Sequence, residues 1–363
     1  MKVLFLTNLP SPYRVYFFSE LGKKCDLTVL YERRSASDRN ENWSVEIEKS
    51  YKEIYLDSIK IGTDNSVSIE VLKYLNNKFD HIIVGMYSTV TAMVAIAYMK
   101  IKNIPFIISS DGGFIKKEKK LNYNIKKFFI SAASGWLSSG SLTTDYLVNY
   151  GANRKRTYTY PFTSLAKKDI LEKPLAKNEK YQIRSKLDIT ENRVVLSVGQ
   201  FIHRKGFDLL LNATKEIDKD IGIYIIGGKP TDEYLRIKDK YNLKNVHFVE
   251  FLKEEQLADY YKCADVFILP TREDIWGLVI NEAMAFGLPV ITTNRCIAGM
   301  ELVIEGKNGY IMEVDNINDI QSSITKVFKN DLYEMGVSSI EVITNYTFEN
   351  MANTTLKVLK ELT

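Results

Sequence analysis

Thiols and imidazoles are scarce: this 363-residue chain has three cysteines and three histidines. Cys25, Cys263 and Cys296 stand far apart, with no Cys-x-x-Cys pair and no histidine at ligand spacing, so neither a disulfide framework nor a zinc site is indicated. His81, His203 and His247 also lack an acidic or cysteine partner at metal spacing, and no metal ligand set is expected. Unpaired, dispersed thiols point to a reducing cytosol. Long hydrophobic runs are missing too. The longest, about Thr89 to Met99, is far below the roughly 18 residues that span a bilayer. Met1-Lys2 leads directly into Val3-Leu4-Phe5-Leu6, too short for a secretory h-region. There is no repeat and no low-complexity tract. The expectation is a cytoplasmic protein, dissolved or peripheral on the inner face of the membrane.

What is present is enough apolar sequence, 45% of residues, to fill the cores of two ordinary domains. Short apolar runs alternate with helix-period segments. Lys2 to Asn8, Leu27 to Tyr31, Ile54 to Leu56, His81 to Gly85 and Phe106 to Ser109 read as strands, and Ser66 to Asn76 and Val90 to Met99 as helices. Such alternation predicts parallel sheets covered on both faces. The rhythm stops between residues 167 and 190, which are dense in lysine and poor in pattern and read as a linker. It restarts at residue 191. Charge divides along the same line, because residues 1–165 hold 23 Lys/Arg against 15 Asp/Glu while residues 166–363 hold 26 against 30. The first half is thus suited to an anionic partner.

Two stretches of the second half carry chemistry. In the first, Val194 to Gly199 is a strand, Gln200-Phe201-Ile202-His203-Arg204-Lys205-Gly206 a basic loop, and Phe207 to Thr214 a helix. A basic loop opening onto a helix N-terminus makes a phosphate site. In the second, the strand Val266 to Leu269 ends at Pro270, and Glu273-Asp274-Ile275-Trp276-Gly277-Leu278 leads into a helix carrying Glu282. If that helix begins near Trp276 or Gly277, Glu282 lies about 8 Å along the axis from the free N–H groups of the first turn. Two carboxylates then flank an anion site, which suits a ligand with sugar hydroxyls on both sides of a diphosphate. Acidic residues are in any case enriched at helix starts.

The run Glu-Asp-Ile-Trp-Gly-Leu-Val-Ile-Asn-Glu-Ala-Met-Ala-Phe-Gly-Leu-Pro-Val-Ile resembles the acidic-x7-Glu signature of glycosyltransferase family 4, the retaining sugar-nucleotide enzymes of the GT-B fold. The first acidic position has Asp274 where the family usually has Glu, with Glu273 just before it. Lys205 matches the family's phosphate lysine, whereas Gln200 stands where Arg is usual and leaves Arg204 as the candidate replacement. The resemblance implies two doubly wound Rossmann-like domains with a deep cleft between them. Residues 1–166, joined by a terminal helix 347–363 crossing back, would bind the acceptor, and residues 191–346 the donor. It further implies catalytic roles for Asp274, Glu282 and Lys205. Donor contacts would come from Gly199, Gln200, Arg204, Glu273, Ile275, Trp276, Gly277 and Leu278, with the nucleobase read near Phe251. No metal and no other cofactor is implied.

In the first half, Arg14 follows the turn Pro10-Ser11-Pro12-Tyr13 and is a candidate phosphate or acceptor contact, and Asp111-Gly112-Gly113 resembles the family's Asp-Gly step, with a carboxylate able to reach an acceptor hydroxyl. Residues 115–130 interleave six lysines with Leu121, Tyr123, Ile125, Phe128 and Phe129, which suits an anionic membrane surface. No nucleic-acid-binding motif accompanies them. The expected activity is transfer of a sugar, with UDP-sugar the first choice of donor, to a saccharide or lipid-linked saccharide in surface polysaccharide biosynthesis. A GT-B sugar-nucleotide epimerase and a catalytically silent nucleotide-sugar-binding subunit are the alternatives.

Overall fold

The computed structural model describes residues 1–34, 47–61, 65–76 and 78–362. Contacts divide the chain into two compact units, Met1–Ser164 with Thr347–Thr363, and Leu165–Tyr346. In the first, strands β1 (Lys2–Thr7), β2 (Asp26–Tyr31), β3 (Lys52–Tyr55), β4 (Ile59–Ile61), β5 (Asn65–Val67), β6 (His81–Val84), β7 (Ile107–Ser110), β8 (Gly135–Ser138) and β9 (Thr157–Thr159) are interleaved with helices α1 (Pro12–Gly22), α2 (Val90–Ile101), α3 (Lys120–Ile130) and α4 (Ser141–Asn149). Seven of the strands form a parallel sheet in the order β3-β2-β1-β6-β7-β8-β9. Val3 to Leu6 and Ile82 to Val84 are all but inaccessible, as strands covered on both faces must be.

The second unit repeats the plan with α5 (Lys177–Lys186), β10 (Arg193–Val198), α6 (Phe207–Thr214), β11 (Ile221–Ile226), α7 (Asp232–Lys240), β12 (Val246–Val249), α8 (Glu254–Cys263), β13 (Val266–Leu269), α9 (Leu278–Ala285), β14 (Val290–Thr293), α10 (Ile297–Leu302), β15 (Gly309–Met312), α11 (Ile317–Val327) and α12 (Leu332–Ile343). Its sheet runs β12-β11-β10-β13-β14-β15, again parallel. In both sheets the order reverses beside the first strand, between β1 and β6 and between β10 and β13. Ligands of open α/β sheets bind beyond the carboxyl ends of strands at such a reversal. The last helix, α13 (Phe348–Glu361), belongs to the first unit, where Phe348 stacks on Tyr16 of α1 at 5.5 Å. Thr347 caps it by accepting from the Asn350 N–H.

Two expectations fail. The stretch 66–76 is not a helix: Ser66 falls in β5, paired antiparallel with β4, and only a five-residue 3-10 turn, Ile69–Lys73, follows. Ser68 explains the break, since its N–H donates to Thr91 Oγ1 and its hydroxyl to the Asp57 carbonyl, partners 23 and 11 positions away that hold it outside a helix. The stretch 167–190 is not a linker. It carries α5 and belongs to the second unit. Its cations are not all solvated, because Arg184, 3% exposed at the side chain, pairs with Asp265 at 2.7 Å. The same guanidinium donates to the carbonyls of Cys263 and Asn192. Lys180 donates to the Ala264 carbonyl at 2.6 Å, and burial pulls its pKa down. Removing one partner of a buried pair costs about 3–5 kcal/mol. Arg184→Met is therefore expected to lower the unfolding free energy measured in urea by an amount of that order, and Lys186→Met, on the same helix, to leave it nearly unchanged.

Candidate active site

The second unit brings its two chemical stretches together at the ends of β10 and β13. After β10 the chain passes Gly199 and exposed Gln200, and buried Phe201 packs against Phe207, Tyr234 and Phe248 at ring separations of 5.4–5.5 Å. With that ring as an anchor, His203–Lys205 forms a 3-10 turn, closed by Gly206 at φ +71°. A side chain at Gly206 would meet the Pro270 carbonyl oxygen at 2.0 Å, so this position requires glycine for space as well as conformation. The basic loop is thereby pressed onto the end of β13.

The acidic loop is held from both sides. Arg272 forms a two-pronged pair with Asp208 at 2.7 and 2.8 Å, donates to the His203 carbonyl at 2.7 Å and pairs with Asp315 at 2.7 Å. The Thr271 hydroxyl and the Arg272 N–H both donate to the Arg204 carbonyl. On the far side, Asp274 N–H donates to the Arg295 carbonyl, Ile297 N–H to the Asp274 carbonyl and Ala298 N–H to the Trp276 carbonyl. Cys296 Sγ donates to the Trp276 carbonyl at 3.1 Å, and burial pushes this thiol up to about 12. The loop behaves as a short extra strand.

Lys205 and Asp274 meet as a result: Nζ lies 2.6 Å from Oδ2, with both side chains only 12–13% exposed. Arg204 Nη1 approaches the same oxygen at 3.7 Å and donates to the Glu273 carbonyl at 2.8 Å. Two cations converge on one anionic oxygen, beside the start of α9. That helix begins at Leu278 after Gly277, whose φ is +100° and whose missing side chain would strike Cys296 Sγ at 2.7 Å. Glu282 lies within α9 and accepts from the Tyr261 hydroxyl at 3.0 Å. Tyr261 is 2% exposed and stacked on Phe286 at 5.3 Å, and burial together with the Glu282 charge raises its pKa well above the usual range.

Residues 179–340 match the family model for glycosyl transferases group 1. An uncharacterized glycosyltransferase of Haemophilus influenzae is 33% identical over 156 residues, 41% of this chain and 44% of that protein. The chain matches about half the length of its first curated relatives. Among solved structures, Anabaena Alr3699/HepE in complex with UDP superposes with a TM-score of 0.78 at 15% identity, over 99% of this chain and 100% of that one. WaaG, a glycosyltransferase involved in lipopolysaccharide biosynthesis, gives 0.69 at 15% identity over 99% of each chain. The fold is GT-B, built from two Rossmann-like units.

The remaining expected site residues lie in differing settings. Trp276 is 2% exposed and donates from its indole to Asn281 Oδ1 at 2.9 Å, so its ring is core rather than donor contact. Glu273 pairs through its carboxylate with Arg295 at 2.9 Å, leaving Asp274 as the acid that meets Lys205. Ile275 and Phe251 are exposed, by 53% and 44%, and Leu278 is half-buried. In the first unit Arg14 is 3% exposed and not a surface contact. Its guanidinium is paired with Asp111 and lies 5.6–5.7 Å from the ring centres of Phe5, Tyr13 and Phe162, which together offset its desolvation. Asp111-Gly112-Gly113 is not a loose turn either, because Ser110 Oγ donates to the Gly112 carbonyl and Gly113 lies against the Tyr146 ring. Sequence reasoning missed Asp208, Arg272, Arg295 and Tyr261, which hold the site from behind and carry no motif. It also missed Glu32, after β2, whose carboxyl accepts from Thr89 and is pushed by burial up to about 7.

The Arg272–Asp208 pair joins the basic and acidic loops. Asp208→Asn is expected to raise amide hydrogen exchange in both 203–206 and 271–277 while leaving strands β10 and β13 protected. An increase confined to the neighbourhood of residue 208 would contradict that coupling.

Proposed function

We propose that this protein is a retaining, metal-independent glycosyltransferase that moves a sugar from a nucleoside diphosphate sugar to a saccharide or lipid-linked saccharide. The observation that carries the reading is the convergence of Lys205 and Arg204 on one anionic oxygen beside the start of α9. A donor diphosphate there takes the two cations and the helix N–H groups, which stabilise the charge that builds on the leaving group. Arg204 supplies the cation that Gln200 lacks. Lys205 moves from Asp274 to the phosphate, so that Asp274 Oδ2 becomes available to sugar hydroxyls. Glu282, held by Tyr261, takes the ribose hydroxyls. The second unit is the donor side and the first the acceptor side.

In the reaction the bond from the anomeric carbon to the phosphate oxygen breaks and a bond to the acceptor oxygen forms on the same face. The acceptor proton passes to the departing phosphate, so no separate base is required. UDP is the first choice of nucleotide, supported by the UDP bound to the HepE structure. A place in surface polysaccharide assembly is supported by the likeness to WaaG.

The membrane side of the reading rests on α3. Leu121, Ile125 and Phe128 are 69%, 41% and 45% exposed at helical spacing, so one apolar stripe faces outward among lysines, and Ile115 just before is 53% exposed. Among the described residues no helix is long and apolar enough to cross a membrane. Leu121→Glu with Phe128→Glu is expected to abolish sedimentation with phosphatidylglycerol vesicles while leaving donor binding intact. Unchanged sedimentation would remove α3 from the reading.

The central test is release of nucleoside diphosphate from UDP-, GDP- and ADP-sugars, with and without lipid-linked saccharides. Acceptor-dependent release by the wild type, falling at least about a hundredfold in Glu282→Ala and in Lys205→Ala, is expected. Conversion of donor without release would instead identify an epimerase, and binding without turnover a silent subunit. A product with inverted anomeric configuration would overturn the retaining mechanism.

A further inference from the structure

The donor chemistry makes no use of a charged cluster inside the first unit. Arg14, in the first turn of α1, is 3% exposed, whereas Asp111, at the tip of β7, is 21% exposed at its side chain. Asp111 Oδ1 accepts from Arg14 Nη2 and from the Tyr160 hydroxyl at 3.3 Å, and Oδ2 accepts from the Tyr13 hydroxyl at 3.3 Å. Behind them, Ser109 Oγ lies 3.2 Å from the Tyr160 hydroxyl. A carboxylate has about four lone-pair sites. Three are taken by these donors, which leaves one on Oδ2, on the only member of the Arg14, Tyr160 and Asp111 group that reaches the surface appreciably.

The cluster is poorly explained as packing. Phe5, Tyr13 and Phe162 already surround the guanidinium, and apolar side chains of similar volume in place of a buried ion pair are often neutral or stabilising. Moreover, Arg14 Nη1 is buried and meets no hydrogen-bond acceptor among the described residues, an arrangement that costs stability. What the charges do accomplish is to fix one carboxylate from three directions at the end of a strand.

We propose that Arg14 is a positioning residue: with Tyr13 and Tyr160 it locks the Asp111 carboxylate in one orientation, so that the remaining Oδ2 lone pair accepts a hydrogen bond from a hydroxyl of the saccharide acceptor. Arg14 itself does not touch the acceptor. The proposal rests on the glycosyltransferase reading and deepens its acceptor side. It commits to a neutral polyol as the group recognised in this unit, because a phosphate or carboxylate would be repelled by Asp111.

A double-mutant cycle on the full chain tests it, with Arg14→Met, Asp111→Asn and the two combined, read as kcat, acceptor KM and, separately, donor Kd by calorimetry. Each single variant is expected to raise acceptor KM about tenfold or more with donor Kd within about twofold of wild type. The double variant is expected to be no worse than Asp111→Asn, since Arg14 acts only through that carboxylate. Arg14→Lys, which keeps the charge and one donor, is expected to recover part of the loss and serves in the same cycle if Arg14→Met does not fold. Multiplicative losses in the double variant would overturn the proposal by giving Arg14 its own contact. So would single variants that keep the wild-type acceptor KM. Donor binding separates the two levels: a wild type that binds and turns over donor while the variants keep its KM overturns this proposal alone. A wild type that binds no nucleoside diphosphate sugar overturns the glycosyltransferase reading with it.

Discussion

The second unit depends on an ion pair between Lys205 and Asp274, groups 69 positions apart in the chain and 2.6 Å apart in space. Neither charge is stable in that setting alone, because both side chains are nearly withdrawn from water and an unpaired buried charge is costly. The neighbouring architecture makes the pairing possible. β10 and β13 are adjacent in the sheet, so the loops that follow them leave from the same edge. Gly206 lets those loops touch, and the Arg272–Asp208 pair keeps them touching. The site is thus a property of a strand order, with the charged side chains occupying a position that the order creates.

The first unit shows the same device used with a different balance of burial. Arg14 follows β1 and Asp111 follows β7, and their ion pair again joins segments distant in sequence at the carboxyl edge of a parallel sheet. Here the cation is sealed under aromatic rings and the anion is the partner that reaches water. In the second unit the two partners are equally shielded, and of the two cations at Asp274 it is Arg204, 47% exposed, that is the more open to solvent. A site whose reachable charges are positive suits an anionic group, and one whose reachable charge is negative suits hydroxyls. That difference is what the proposed reading needs, with a diphosphate in one unit and a saccharide in the other.

Supporting residues outnumber the ones that would meet a ligand. Tyr261 holds Glu282 and is itself fixed by stacking on Phe286, Arg295 takes up the Glu273 carboxylate, and the 295–298 segment pins the acidic loop along its length. Such support limits how far each charged group can stray from its place. It also explains why adjacent acids, Glu273 and Asp274, have different surroundings. Successive residues of an extended segment point to opposite sides, so one carboxylate faces Arg295 and the other Lys205.

Much of this was legible in the chain itself. Alternating apolar runs and helical periods specify parallel α/β units, because only strands buried on both faces can be so uniformly apolar, and Lys205, Gly277 and Glu282 are marked by spacing around helix starts. The helix Phe207–Thr214 and the start of α9 are where local pattern placed them, since both depend on interactions within a few residues. Local pattern misled where distant partners intervened. Residues 167–190 look solvated by composition, yet Asp265 and the carbonyl end of α8 draw Lys180 and Arg184 inward. Arg14 and Trp276 look like ligand contacts by position, yet Asp111 and Asn281 bind them inside. The sequence by itself determined the fold class and where the helices after the two loops begin, because periodicity and helix-terminus chemistry are short-range. Only the tertiary structure decided which charges face one another, because ion pairs between strand ends depend on the order in which those strands lie in the sheet.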